Sequence, residues 1–100
     1  MKIQDLPISS RPREKALQNG ISSLSEGELL AIIIEKGIKG RSALEIGRSL
    51  YEESKSLSRL FSMNYLNGQS IRGLSEIKLL EIKAIGELFR REKMERFLSD

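Results

Sequence analysis

Two short stretches hold the residues best suited to chemistry, "EKGIKGRS" at 35–42 and "IRGLSEIK" at 71–78. The first offers Lys36, Gly37, Lys39, Gly40 and Arg41; the second offers Arg72, Gly73, Ser75 and Lys78. Each sets cations beside glycine and leads into a run with helical patterning. A glycine turn entering a helix can hold an anion, because the first helical N–H groups lack intrahelical partners. The helix dipole adds about half a positive charge at that end. Glycine lets the backbone approach a phosphate closely. Lysine and arginine then supply the salt-dependent part of the affinity, and phosphate contacts alone read no base sequence.

The same spacings also serve as plain connectors between helices. Ser42 and Glu45 sit as a capping box ahead of the helix that follows the first turn, so an internal carboxylate competes there with any phosphate. At the second turn Lys78 opposes the dipole, a small cost that a phosphate would reverse, while Glu76 pulls the other way. Ser75 can cap its helix or donate to a phosphate. Arg11, Arg13 and Lys15 in "RPREK" read as a solvated face or as salt-bridge partners.

Composition removes most catalytic alternatives. The chain has no cysteine and no histidine. That excludes a disulfide framework, a thiolate nucleophile, a zinc finger, a Ser-His-Asp triad and a histidine base. The carboxylates are scattered along helix patterns with no pair standing out, so the expectation is a noncatalytic domain with no cofactor and no metal. The net charge of +3 permits nucleic-acid binding without demanding it. Local balance is more telling: residues 21–35 carry three glutamates and no base, whereas 36–41 carry Lys36, Lys39 and Arg41 and no acid. No run approaches the roughly 18 apolar residues of a membrane span, and "MKIQDLP" has no secretory pattern, so a cytoplasmic chain with no membrane partner is expected.

The elements that must position the two turns read as helices. Both prolines, Pro7 and Pro12, lie in the first dozen residues. "RPREKALQNG" starts with Pro12 at a first helical position and stops at Asn19-Gly20. In "SLSEGELLAIIIEKG", Ser25 and Glu28 form a capping box and Gly37 is the expected stop; its apolar residues cover more than one face, as in a central buried helix. "RSALEIGRSLYEES" presents Ala43, Ile46, Gly47 and Leu50 on one face, with Gly47 predicting close helix approach. "SLSRLFSM" and "NYLNGQSI" are short segments of about two turns each. The last helix is expected from about Glu76 to Phe97, with a core stripe of Ile77, Leu80, Ala84 and Leu88, and Ile82, Ile85 and Phe89 beside it. A weak internal echo relates "LLAIIIEKGIKGRSALEI" to "YLNGQSIRGLSEIKLLEI", as two helix-turn-helix units in tandem would.

The segment "DLPISSRPREKALQNGISSLSEGELLAIIIEKGIKGRSALEIGRSL", with the later "SLSRLF" and "IRGLSEIKLLEIKAIGELFRR", resembles the amino-terminal region of the bacterial RadC family over roughly residues 3–91. The resemblance implies an all-α domain similar to the second domain of RuvA, built from helix-hairpin-helix elements. In the family it precedes a JAB/MPN-type metal-binding domain with histidine ligands; with no histidine in these residues, that second domain is expected to be missing here. Family members often carry Gly-Ile-Gly where Gly73-Leu74-Ser75 stand here, and threonine around the positions of Lys36 and Ile38. Gly47 and Gly86 fall where alanine or a larger apolar residue is usual.

The expectation is thus a single all-α domain, a compact bundle of about five to six helices with tandem helix-hairpin-helix character. Residues 1–10 would form an extended arm, 11–89 the core and 90–100 a polar helix extension towards a following domain. Its expected function is weak, sequence-independent contact with duplex or branched DNA through both turns, as a module of a RadC-like DNA repair protein. The alternative is docking on its own carboxy-terminal domain or on another protein.

Overall fold

Serine starts four of the five α-helices among the described residues, and it does so by satisfying amides that the helices themselves leave unpaired. The computed structural model describes residues 11–64 and 70–99, and every statement of structure concerns those residues. Helix α1 spans Pro12–Asn19, α2 Glu26–Ile34, α3 Ala43–Ser54, α4 Leu57–Ser62 and α5 Glu76–Ser99, with a 3-10 turn at Ile21–Ser23 between α1 and α2. No strand occurs among the described residues, and the all-α expectation holds. The segment "NYLNGQSI" lies largely outside the described residues, as does the expected 1–10 arm.

Each start has a local cause. Pro12 takes the first position of α1, where its missing N–H costs nothing. At α2 the Ser25 hydroxyl accepts from the Glu28 N–H at 3.2 Å, and the Glu28 carboxylate accepts from the Ser25 N–H at 2.9 Å. Lys15 of α1 donates to both oxygens of that carboxylate at 3.2 Å, so one capping box also ties α1 to α2. Ser42 caps α3 by accepting from the Glu45 N–H, and Ser56 caps α4 by accepting from the Arg59 N–H, both at 3.1 Å.

The core lies where α3 crosses α2. Leu30, Ala31 and Ile34 of α2 meet Ala43, Leu44, Ile46 and Leu50 of α3, and Leu60, Ile71 and Ile82 close the cluster. Ile46 and Leu50 are fully buried, each contributing about 1.5–3 kcal/mol by leaving water. Gly47 sets the approach: a Cβ there would stand 2.5 Å from the Gly27 carbonyl oxygen and 3.0 Å from the Ala31 nitrogen. The close approach read from Gly47 is therefore real, and α2 supplies backbone to it.

Two expectations about helices are corrected. Gly37 does not stop α2; the helix ends at Ile34, and Glu35 follows with φ 68° and ψ −58°. The Lys36 N–H donates to the Ile34 carbonyl at 2.8 Å, which makes Glu35 the centre of a strained three-residue γ-turn. In α5 the expected core stripe faces solvent instead. Ile77 is 67% exposed, Leu80 61% and Leu88 66%, and Ala84 is exposed too. The packing face is Leu79, Ile82, Lys83 and Gly86. Leu79 and Ile82 are buried, Lys83 donates to the Met63 carbonyl at 2.6 Å, and a Cβ on Gly86 would enter the Phe61 ring. A glycine that admits an aromatic ring and a lysine with an apolar stem pack as well as leucine, and a tally of Leu and Ile overlooks both.

Candidate nucleic-acid interface

The two basic turns share one backbone design. In the first, the Ile38 N–H donates to the Arg41 carbonyl at 2.9 Å and the Arg41 N–H to the Ile38 carbonyl at 3.0 Å. Lys39 and Gly40 are its central residues, and Gly40 supplies φ +83°. In the second, the Leu74 N–H donates to the Ile71 carbonyl at 3.1 Å across Arg72 and Gly73, and Gly73 has φ +92°. Each turn thus has a cation at its first central position and a left-handed glycine at its second, the geometry that favours glycine there. Each is followed, two residues beyond that glycine, by a capping serine. Ser42 serves α3, and Ser75 accepts from the Lys78 N–H at 3.1 Å to start α5. Residues 38–42, "IKGRS", and 71–75, "IRGLS", are equivalent in sequence as well.

The turns lie side by side. Arg41 donates through Nη1 to the Arg72 carbonyl at 2.9 Å and through Nη2 to the Ser49 hydroxyl of α3. A Cβ on Gly40 would stand 3.9 Å from Nη2 of Arg72, and one on Gly73 would meet Ile38 and Ile46. Lys78 Nζ lies 3.0 Å from a Glu35 carboxylate oxygen, joining the first turn of α5 to the end of α2. All nine candidate residues therefore belong to one continuous region, although 31 positions separate Arg41 from Arg72.

Their availability differs. Lys36, Lys39 and Arg72 are exposed, and their side chains form no ion pair among the described residues. Arg41 is half-buried and braces the two turns. Lys78 pairs with Glu35 and also with Glu81 at 3.1 Å; the hydrogen bonds its ammonium donates to those two carboxylates raise its pKa. The Lys78 hydrogen bond likewise lowers the pKa of Glu35, helped by the charges of Lys78, Arg13 and Lys36. Gly37 packs its α-carbon against the Arg41 carbonyl with no room for a side chain, so its role is to close the loop. Ser75 spends its hydroxyl as an acceptor for its own helix.

Two arginines read from the sequence as a solvated face or as salt-bridge partners border the region. Arg11 and Arg13, at the start of α1, line a cleft of about 500 Å³ together with Lys36, Lys39 and Arg41. The charge run "RPREK" was visible in the sequence, but its distance along the chain from residue 36 hid the convergence.

An all-α domain with two equivalent basic turns on one face is the class that fold and site define. The family model described as UPF0758 N-terminal matches residues 3–80, and the chain belongs to that family. UPF0758 is the RadC-type family, so the resemblance read from the sequence holds at family level. A UPF0758 protein of Cupriavidus necator is 41% identical over 91 residues, covering 91% of this chain and 40% of that relative. One from Nitrosomonas eutropha is 38% identical over 99 residues, covering 99% and 44%. One from Stutzerimonas stutzeri is 39% identical over 100 residues, covering 100% and 45%. The chain thus spans less than half the length of these relatives. No solved structure matches it. Among the described residues no helix is long and apolar enough to cross a membrane.

Proposed function

We propose that this domain is a noncatalytic DNA-binding module of a RadC-type DNA repair protein. It holds the phosphate backbone without sequence specificity through its paired turns, as a tandem helix-hairpin-helix would. The observation that supports this most is the Arg41 guanidinium on the Arg72 carbonyl, which holds two equivalent basic turns together. Lys36, Lys39 and Arg72 supply the exposed charge, while Gly40 and Gly73 keep the backbone low enough for close approach. Ser42 and Ser75 already accept from the helix amides, so binding rests on side-chain charge and is weak. Fluorescence anisotropy of a labelled duplex across salt concentrations tests it. Replacing Lys36 and Lys39 by alanine should lower the salt slope by about two, roughly one for each phosphate left without its lysine. Absence of binding at low salt, or an unchanged slope in the double variant, refutes the reading.

A second reading, docking on the remaining part of a protein as long as the relatives, is supported by α5. Ile77, Leu80, Leu88, Phe97 and Leu98 are each more than 60% exposed on this one helix, and the relatives' chains are more than twice as long as the stretch matched here. The carboxy-terminal remainder of a full-length relative, added as a separate polypeptide, should raise the melting temperature of this chain. Leu80→Glu with Leu88→Glu should abolish that rise. No rise with the parent chain sinks this reading.

A further inference from the structure

The cleft between α1 and the first turn has a shape that backbone contact with a duplex does not use. Its wall holds five cations, Arg11, Arg13, Lys36, Lys39 and Arg41, against two carboxylates, Glu14 and Glu35. Glu35 is already paired with Lys78, so its charge is largely compensated from outside the cleft. The floor is apolar: Ala31 and Ala43 are 3% and 1% exposed, with Pro12, Ile32 and Ile38 around them. The volume of about 500 Å³ falls within the range of about 300–1,000 Å³ typical of small-molecule sites. A duplex presents a convex cylinder of phosphodiesters with one charge each, and such a surface spans a cleft of this size without filling it. A phosphomonoester carries a charge of about −1.5 to −2 at pH 7, and its nucleoside supplies one sugar and one flat base to an apolar floor.

We propose that this cleft takes a nucleoside phosphomonoester, with the phosphate among Arg13, Lys36 and Lys39 and the sugar and base over Ile32 and Ile38. The ligand is either the phosphorylated end of a DNA strand or a free nucleotide, which share this chemistry. In the first case the inference rests on the DNA-binding reading and deepens it: the paired turns hold the duplex while the cleft holds its end. Arg13 is the discriminating residue, because it lines the cleft but belongs to neither turn.

The test uses a hairpin-capped duplex with a single free end, bearing either a 5′-phosphate or a 5′-hydroxyl, in anisotropy titrations with the intact chain. A nucleoside 5′-monophosphate and inorganic phosphate serve as competitors. The expected result is about tenfold tighter binding of the phosphorylated end, the equivalent of one charge-assisted hydrogen bond. Arg13→Ala should erase that preference, read as the ratio of the two affinities, so that both ends bind alike. The comparison of the two ends needs no variant, so it stands even where Arg13→Ala is perturbed in other ways. If no duplex binds but the free nucleotide raises the melting temperature, with Arg13→Ala removing the effect, the cleft is a nucleotide site and the DNA reading fails. Equal affinity for both ends, with no effect of free nucleotide, overturns the cleft inference and leaves the DNA reading intact. No binding of any probe overturns both.

Discussion

Gly40 and Gly73 occupy equivalent turn positions, φ +83° and φ +92°, but in different surroundings, and that contrast allows a quantitative prediction. Alanine at either position must adopt a left-handed backbone, costing about 1–2 kcal/mol. Reduced freedom of the unfolded chain returns about 0.4–1 kcal/mol. At Gly40 the nearest atom to a new Cβ is the flexible end of Arg72 at 3.9 Å, so nothing further is added and the net loss is about 1 kcal/mol. At Gly73 the new Cβ would stand 2.5 Å from Cδ1 of Ile46, a fully buried side chain, and 3.1 Å from its Cγ1. Moving a close-packed core residue adds about 1–3 kcal/mol, for a total near 2–4 kcal/mol. Against a usual domain stability of about 5–15 kcal/mol that is a large fraction. Urea unfolding followed by far-ultraviolet circular dichroism measures both variants, with the slope against urea expected to stay constant. Losses that agree within about 0.5 kcal/mol, or a milder effect at Gly73, would refute the claim that the second turn is seated on the core and the first is not.

Three further outcomes follow from the same geometry. Ser75→Ala removes the acceptor for the Lys78 N–H and should cost about 1 kcal/mol in urea unfolding, whereas Ser75→Gly should cost only a few tenths. Burial raises the pKa of Glu28, but the Ser25 N–H, the Lys15 ammonium and the Ser25 hydroxyl outweigh it and hold the group below its ordinary 4.5. The folded value is depressed, so this stabilisation is complete above that ordinary value and is lost as pH falls through the folded one. Glu28→Gln should therefore flatten the acid side of the stability profile, read as urea midpoints from neutral pH downward. Ile82→Ala should cost about 2–5 kcal/mol, while Leu88→Gln on the exposed side of α5 should change stability by less than about 0.5 kcal/mol; reversal of that order in thermal melts would contradict the packing face of α5.

What could be read along the chain was what neighbouring residues decide among themselves. Ser25 with Glu28, Ser42 with Glu45 and Pro12 in the first turn of α1 act within four residues, so their helix starts were legible. Helix ends were less so. Gly37 looked like the stop of α2, but the helix breaks two residues earlier at the Glu35 γ-turn, while Gly37 serves tight packing against Arg41. The equivalence of "IKGRS" and "IRGLS" was present in the residues themselves, yet only hydrogen bonding showed that both make the same turn.

The sequence alone determined an all-α chain without histidine or cysteine chemistry, two cationic glycine turns, and serine-capped helices, because composition and capping are local properties. Its family membership was legible in the same way, from motifs read in order. The tertiary structure decided which faces meet. It turned α5 so that Leu79, Ile82, Lys83 and Gly86 pack inward and Ile77, Leu80 and Leu88 remain outside. It also joined Arg41 to the Arg72 carbonyl and gathered Arg11 and Arg13 around the first turn. Those outcomes depend on how closely backbones can approach at Gly47, Gly73 and Gly86, and the space around a missing side chain exists only once the helices have packed.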